Sequence, residues 1–288
     1  MLVHIKEIVK KAKQKNYAIG AFNTSNLEVT QAILRAAAAK KSPVIIQISE
    51  ATIAYAGLLP ILNLIKTSAQ KLAPKIPVAI HLDHGKNLAV IKQCLKAGLT
   101  SIHIDASEKP FEQNVNLTKK VALMAHRAGA WVQGELGSIY GKEGLTKINL
   151  PKNKDIYLTD PNKVREYLKK TTIDTLAVSV GTIHGYFKGQ EKVDQKRLIQ
   201  ITKQTKTPLV LHGASGLNPK NLKTAVKNGV SIVNIDTELR MAFTKTLKQT
   251  LKKSIAFYDP RKILSPSTLA VEKTVSHLID ILGSRDKI

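Results

Sequence analysis

The sequence predicts a single α/β domain folded as a closed (β/α)8 barrel. Three observations carry that expectation. Eight short β-rich runs alternate with segments of helical periodicity. Successive runs begin 23 to 45 residues apart, room enough for right-handed crossovers between parallel strands. Each run finishes on polar residues able to do chemistry, whereas the runs begin on Ala, Val or Ser and other residues without such chemistry. An open doubly wound sheet is the alternative architecture for the same alternation.

The elements follow in order. AIGAF (18–22) is the first strand, and an alanine-rich stretch with apolar residues at helical spacing follows at 26–40. VIIQI (44–48) and VAIHL (78–82) are the second and third strands. A helix at 88–97 stops at Gly98. SIHID (101–105) precedes a helix at 114–127 that stops at Gly129. WVQGE (131–135) opens the longest interstrand segment, where 138–155 reads as a loop whose glycines suit a mobile lid. The same residues are equally compatible with a plain surface loop. Pro161 starts a helix at 161–170, and LAVSV (176–180) follows. A helix at 194–204, LVLH (209–212), a helix at 219–227 opened by Pro219, and IVNID (232–236) complete the set. No linker, low-complexity tract or repeat interrupts the 288 residues, so 1–288 reads as one domain.

Composition narrows the function classes. Hydrophobic residues make up 43% of the chain and aromatics only 5%, so the core must be aliphatic. Cys94 is the sole cysteine, which excludes an internal disulfide and fits a reducing, cytoplasmic setting. The start, MLVHIKEIVKKAKQ, lacks the continuous apolar core of a signal peptide, and no stretch approaches the roughly 18 apolar residues of a membrane span. The formal charge is +24, but the lysines are scattered and no basic run exceeds two residues. A nucleic-acid reader concentrates its charge, so no specific nucleic-acid partner is expected. A solvated lysine-rich surface that favours a phosphorylated substrate fits better.

The active site of this barrel type lies at the carboxyl ends of the strands. Those ends carry Asn23, Ser49, Glu50, Asp83, His84, Asp105, Ser107, Glu135, His184, His212, Asn234 and Asp236. Of the eight histidines, His4, His126 and His277 fall in helical or terminal segments and read as surface or packing residues. His103 lies inside a strand and reads as a core or supporting residue. His81 shares a strand face with Asp83, so it either orients that carboxylate or is structural. His84, His184 and His212 differ: each lies at or just beyond a strand end and each precedes glycine, in DHG, IHG and LHG. Glycine lets backbone approach a ligand closely. Three neutral imidazoles with an open fourth position describe a catalytic zinc site. Only barrel closure unites them, so the residues alone leave the metal site and separate structural histidines both open.

VAIHLDHG, GTIHGYFKG, LHGASG and NIDTELR, in that order, resemble the class II (metal-dependent) fructose-bisphosphate and tagatose-bisphosphate aldolases. The similarity spans the chain, from YAIGAFNTSNLE to YDPRKIL. It implies a TIM barrel, a catalytic Zn2+ on His84, His184 and His212, and a monovalent cation (Na+ or K+) near the substrate phosphate. It implies that Asp83 moves the proton of the C4 hydroxyl and that Glu143, in the 138–155 loop, exchanges the proton on the dihydroxyacetone phosphate carbon. Asn23, Ser49, Gly185, Gly213, Ala214, Ser215, Asn234, Ile235, Asp236 and Thr237 match substrate-binding positions. Arg261 matches an arginine that reaches the far phosphate from a neighbouring subunit of a homodimer or homotetramer. Asp105 and Glu135 match acidic residues near the metal or at an alternative metal position. The chemistry suits the residue types: a retro-aldol step needs a Lewis acid on the ketose oxygens and two proton-transfer groups on different sides.

Two departures from the family pattern stand out. Ala214 replaces the second glycine of the usual LHGG, and Gly144 follows Glu143 where an acid is frequent. Lys86 stands where small residues are frequent and could touch an anionic substrate. The expected activity is glycolytic cleavage of fructose 1,6-bisphosphate to dihydroxyacetone phosphate and glyceraldehyde 3-phosphate. Tagatose 1,6-bisphosphate is the nearest rival substrate. A metal-dependent hydrolase on the same barrel and non-catalytic binding of acidic polymers by the basic surface are the remaining alternatives.

Overall fold

The computed structural model describes residues 1–141, 155–185, 192–253 and 258–288. It opens with α1 (Ile5–Gln14) and continues β1 (Ile19–Asn23), α2 (Leu27–Ala39), β2 (Val44–Ser49), α3 (Glu50–Ala56), α4 (Leu58–Leu72), β3 (Val78–Gly85), α5 (Leu88–Lys96) and β4 (Ser101–Ile104). Next come α6 (Phe111–Arg127), β5 (Trp131–Leu136), α7 (Val164–Thr171), β6 (Thr175–Val178), α8 (Gln195–Gln204) and β7 (Leu209–Leu211). The chain ends with α9 (Pro219–Lys227), β8 (Val230–Ile235), α10 (Thr237–Lys253) and α11 (Pro260–Leu282). All eight predicted strands are present, with ends displaced by two residues or fewer except at β3. There pairing carries on through Asp83 and His84 to Gly85. The helix expected at 161–170 opens with a 3-10 turn at Pro161–Lys163 before α7 begins. Proline at that position fixes φ but cannot donate to the ladder, so a tighter first turn is tolerated.

The strands pair in the order β1 to β8, all parallel, and β8 returns to β1 through Ile19↔Ile232 and Gly20↔Val233. That closure excludes the open sheet. Alternation along each strand then sorts side chains to two sides. Val44, Ile46 and Ile48 of β2, for example, face outward into the large aliphatic core beneath α2 and α4. Ile19, Ala21, Ile45, Ala79, Ala177, Val210 and Ile232 form a second cluster inside the barrel.

The amino-terminal mouth of the barrel is stoppered by α1. Its apolar residues Ile5, Ile8, Val9 and Ala12 recur at helical spacing and join the interior cluster. His4 accepts from the Lys6 N–H at 3.0 Å and so caps α1, while its ring packs edge-on against Trp131. Full burial of a side chain such as Ile8 stabilises by about 1.5–3 kcal/mol. Among the described residues α1 therefore covers the amino-terminal end of the barrel interior with apolar side chains.

Candidate active site and metal centre

Strand parity sends Asn23, Asp83, Asp105, Glu135, His212 and Asn234 to the carboxyl mouth: Asn23, His212 and Asn234 lie two residues beyond the apolar interior residues Ala21, Val210 and Ile232, and Asp83 lies four beyond Ala79. The three candidate histidines meet there. The ring centres of His84 and His212 are 4.6 Å apart, those of His84 and His184 5.0 Å, and those of His184 and His212 6.0 Å. His103 joins them, 4.8 Å from His84 and 5.3 Å from His212. Among the described residues, ligand atoms of Asp83, His84, His103 and His212 all lie within 4.8 Å of one another, as do those of His84, His103, Asp105 and Glu135. His184 stands beside these sets but in neither.

Local backbone explains the glycines. His84 is a non-glycine residue in the left-handed region, φ 46°, where the β3–β4 register slips between Leu82 and Gly85. Such a conformation is held only by surrounding contacts. A side chain at Gly85 would come within 2.7 Å of the His103 carbonyl oxygen. At Gly213, φ 62°, it would come within 2.6 Å of the Ile183 carbonyl oxygen. Gly85 therefore serves packing against β4, whereas Gly213 both packs against the Ile183 backbone and lines the inner pocket described below. Gly185 lines that pocket too.

Hydrogen bonds fix the charged groups. The Asp83 carboxylate accepts from the Asn23 amide at 2.8 Å and from the Asn234 amide at 3.3 Å. His84 Nδ1 lies 2.9 Å from an Asp105 oxygen, whose carboxylate also accepts from the Ser107 hydroxyl at 2.7 Å. Gln133 Nε2 lies 2.8 Å from His212 Nε2 and steadies that ring. His184 N–H donates to the Tyr140 carbonyl at 2.8 Å, so the described start of the 138–155 segment rests on this histidine. His81 bonds to the Ser101 hydroxyl at 2.7 Å instead of to Asp83, which makes it structural. Residues two apart on a strand are about 6.6 Å apart, so the shared face did not bring them into contact.

Burial, then the positive charge on His84, push His103 and His184 down to about 3 and His212 well below the ordinary imidazole value. These rings are neutral, the form that ligates metal. Burial also works to lower His84, but the carboxylates of Asp83 and Asp105 outweigh it and raise the ring to about 10. Burial works to raise Asp83, yet the neighbouring His84 charge and the Asn23 hydrogen bond hold it below the usual carboxylate range. Glu135 is pushed up to about 8 by burial and by the Asp105 charge. The cluster thus concentrates carboxylates that call for a positive charge at its centre. His84 Nε2 and Glu135 Oε2 are buried without a hydrogen-bond partner among the described residues. An imidazole-rich donor set with unpaired ring nitrogen and surplus negative charge fits a divalent cation.

Two cavities flank the cluster. The inner one, about 20 Å³, is lined by Asn23, Asp83, His184, Gly185, His212, Gly213, Ser215 and residues Asn234, Ile235, Asp236 and Thr237. Thr237 begins α10, and Ser215 accepts from the Glu238 N–H at 3.2 Å. The outer one, about 210 Å³, is lined by Ser49, His84, Lys86, Asp105, Glu135 and Gly141.

The chain matches the family described as fructose-bisphosphate aldolase class II over residues 3–287. The chain belongs to this family. It is 39% identical to the fructose-bisphosphate aldolase of Thermus caldophilus, with 99% of both chains covered. It is 40% identical to that of Geobacillus stearothermophilus, covering 99% of this chain and 98% of the relative. A crystal structure of the YdjI aldolase from Escherichia coli K12 superimposes with a TM-score of 0.85 at 30% identity, covering 99% and 98% of the two chains. Metal dependence is characteristic of the family, in keeping with the donor set above.

Three expected positions lie outside the inner pocket. Ala214 is buried in the aliphatic core and does not line the inner pocket, so the methyl that replaces a glycine hydrogen is spent on packing. Ser49 lies on the outer side and caps α3, accepting from the Thr52 N–H at 3.2 Å. Arg261 is 90% exposed and pairs with Asp259 at 3.0 Å, away from either cavity of its own chain. Glu143 and Gly144 lie outside the described residues, as does the stretch 142–154 of the expected loop. Lys86 is held over Asp105 and Glu108, at 3.6 and 3.4 Å. Sequence reading undervalued His103 and passed over Gln133. Both sit two residues before a recognised rim acid, Asp105 and Glu135, and period-two counting from those acids finds them. Cys94 is buried in the core, and no helix among the described residues is long and apolar enough to cross a membrane.

Proposed function

We propose that the chain cleaves fructose 1,6-bisphosphate reversibly to dihydroxyacetone phosphate and glyceraldehyde 3-phosphate, in cytoplasmic glycolysis. The observation that carries this is the meeting of the His84, His184 and His212 rings with Asp83 at the wall of a pocket that ends on the amino terminus of α10. His84, His184 and His212 would hold a zinc ion, with Asp105 steadying His84 and Gln133 steadying His212. When bound, the ion supplies Lewis-acid polarisation of the ketose oxygens.

The chain's own residues do the rest. Asp83, held ionised and aimed by Asn23 and Asn234, takes the C4 hydroxyl proton as the C3–C4 bond breaks. Gly213, Ser215 and Thr237 offer small groups and backbone donors to the phosphate of the dihydroxyacetone half, where barrel phosphates commonly bind. Glu143 delivers a proton to the remaining carbanion. Arg261, exposed on its own subunit, reaches the far phosphate of a neighbour, which requires a homodimer or homotetramer.

A coupled assay for triose phosphate on fructose and tagatose 1,6-bisphosphates, with and without chelator, tests the proposal. Fructose bisphosphate is expected to be cleaved faster, with activity lost on chelation and restored by Zn2+. Cleavage that survives full metal removal, or phosphate release without triose phosphate, overturns it.

A further inference from the structure

His84 sits in a backbone conformation that its residue type does not favour. Its φ of 46° falls in the left-handed region, at the end of β3 where the pairing with β4 slips. Such a turn persists only where its surroundings over-determine it. On the β4 side, the His84 N–H donates to His103 Nδ1 at 3.3 Å, and the Gly85 carbonyl accepts from the Asp105 N–H at 3.0 Å. On the β2 side, one side chain holds the turn. A single oxygen of the Glu50 carboxylate accepts from the Lys86 N–H at 2.8 Å and from the Asn87 N–H at 2.7 Å.

Strand register puts Glu50 in reach. Ser49 of β2 pairs with Asp83 of β3, so the next residue, Glu50, stands level with His84. It is the first residue of α3 and is half-buried. Asn87 caps α5, its side chain accepting from the Ala89 N–H at 2.8 Å, so the two donors that meet Glu50 are the last before that helix. A carboxylate there also faces the positive end of the α5 dipole. Glu50 lines neither cavity and belongs to neither group of potential metal ligands among the described residues. Its effect on the chemistry therefore passes through the His84 turn.

We propose that Glu50 is a positioning residue for the metal: its carboxylate holds the turn that presents the His84 imidazole to the ion. The inference rests on the reading of His84 as a metal ligand. Asp105 orients the ring from its Nδ1 side, and Glu50 fixes the backbone that carries the ring. Hydrogen bonds to an ionised acceptor are about twice as strong as neutral ones, so a carboxylate suits this place better than an amide.

Competition for Zn2+ between the protein and a chromophoric chelator tests this without substrate, so the outcome does not depend on which sugar is cleaved. Glu50→Leu removes the acceptor, and Glu50→Asp draws the charge back by a methylene. Each should weaken Zn2+ binding about tenfold or more, as expected for a group that orients a ligand. Glu50→Asp decides the matter if Glu50→Leu does not fold. Glu50→Gln keeps an acceptor within reach and should lose only about threefold. At saturating Zn2+ the kcat of Glu50→Asp should stay within about twofold of wild type, because Glu50 touches no substrate. Zn2+ affinity unchanged in every folded variant overturns the proposal, even where the metal-free melting temperature falls, since that marks an ordinary loop hydrogen bond. A collapse of kcat at saturating Zn2+ also overturns it, by placing Glu50 in the chemistry. A wild-type protein that takes up no Zn2+ overturns the metal reading itself, and this inference with it.

Discussion

The two ends of one barrel are built from the same eight strands and the same alternation, yet they obey opposite rules. At the amino end, Ile19, Ile45, Ala79 and Ile232 meet Ile5, Ile8 and Val9 of α1, and apolar area is buried against apolar area. At the carboxyl end, His84, His103, His184 and His212 are crowded against Asp83, Asp105 and Glu135, with buried ring nitrogens left unpaired. Packing like that costs stability and persists because the rest of the fold over-determines it. The comparison teaches that the barrel's cohesion and its chemistry occupy different ends of the same strands. A substitution should therefore disturb one without the other.

The sharpest break of that comparison comes from His212→Ala. It should abolish stoichiometric metal binding and all cleavage, yet leave thermal unfolding of the metal-free protein within about 2 °C, equivalent to about 1 kcal/mol in a chain of this size. Metal analysis and calorimetry check both halves, and a large loss of stability would mean that the rim also holds the fold together. Asp83→Asn should retain the metal while kcat falls by about 10²–10⁴, the usual worth of a general acid–base group. Loss of metal from that variant would make Asp83 a structural anchor. Ile8→Ala is the mirror image, expected to cost about 2–5 kcal/mol in denaturant unfolding with metal affinity and kcat unchanged. A fall in metal affinity would show that the two ends are coupled.

Smaller effects sharpen the picture at the rim itself. Gln133→Leu should weaken metal binding by about 10–100-fold, as expected for a group that orients a ligand ring. An unchanged affinity would show that the His212 ring needs no such support. The pH dependence has a definite sign. At pH 9, Glu135, at about 8, is ionised and His184, at about 3, is neutral, while His84, at about 10, still carries its proton. Metal binding must then displace one proton, from His84. The logarithm of the association constant should rise by about one for each pH unit near pH 9. A flat profile would show that His84 is neutral before the metal arrives.

The barrel and its rim were legible in the sequence because period-two alternation and strand ends are local signals. Asp83, Glu135, His212 and Asn234 could each be placed from a single strand. His103 and Gln133 were legible by the same rule but looked like ordinary interior residues, since nothing local says how near an interior position lies to the mouth. The left-handed turn at His84, the contact of Gly213 with the Ile183 backbone, and the diversion of His81 to Ser101 depend on which strands adjoin. Those facts exist only after closure.

The ligand set of the metal is the claim on which the contrast between the two ends rests. Anomalous diffraction from crystals equilibrated with Zn2+ tests it directly. The account predicts one ion at the carboxyl mouth, about 2.0–2.1 Å from an imidazole nitrogen of each of His84, His184 and His212. An ion held instead by His103, Asp105 and Glu135, with His184 and His212 unligated, would contradict it.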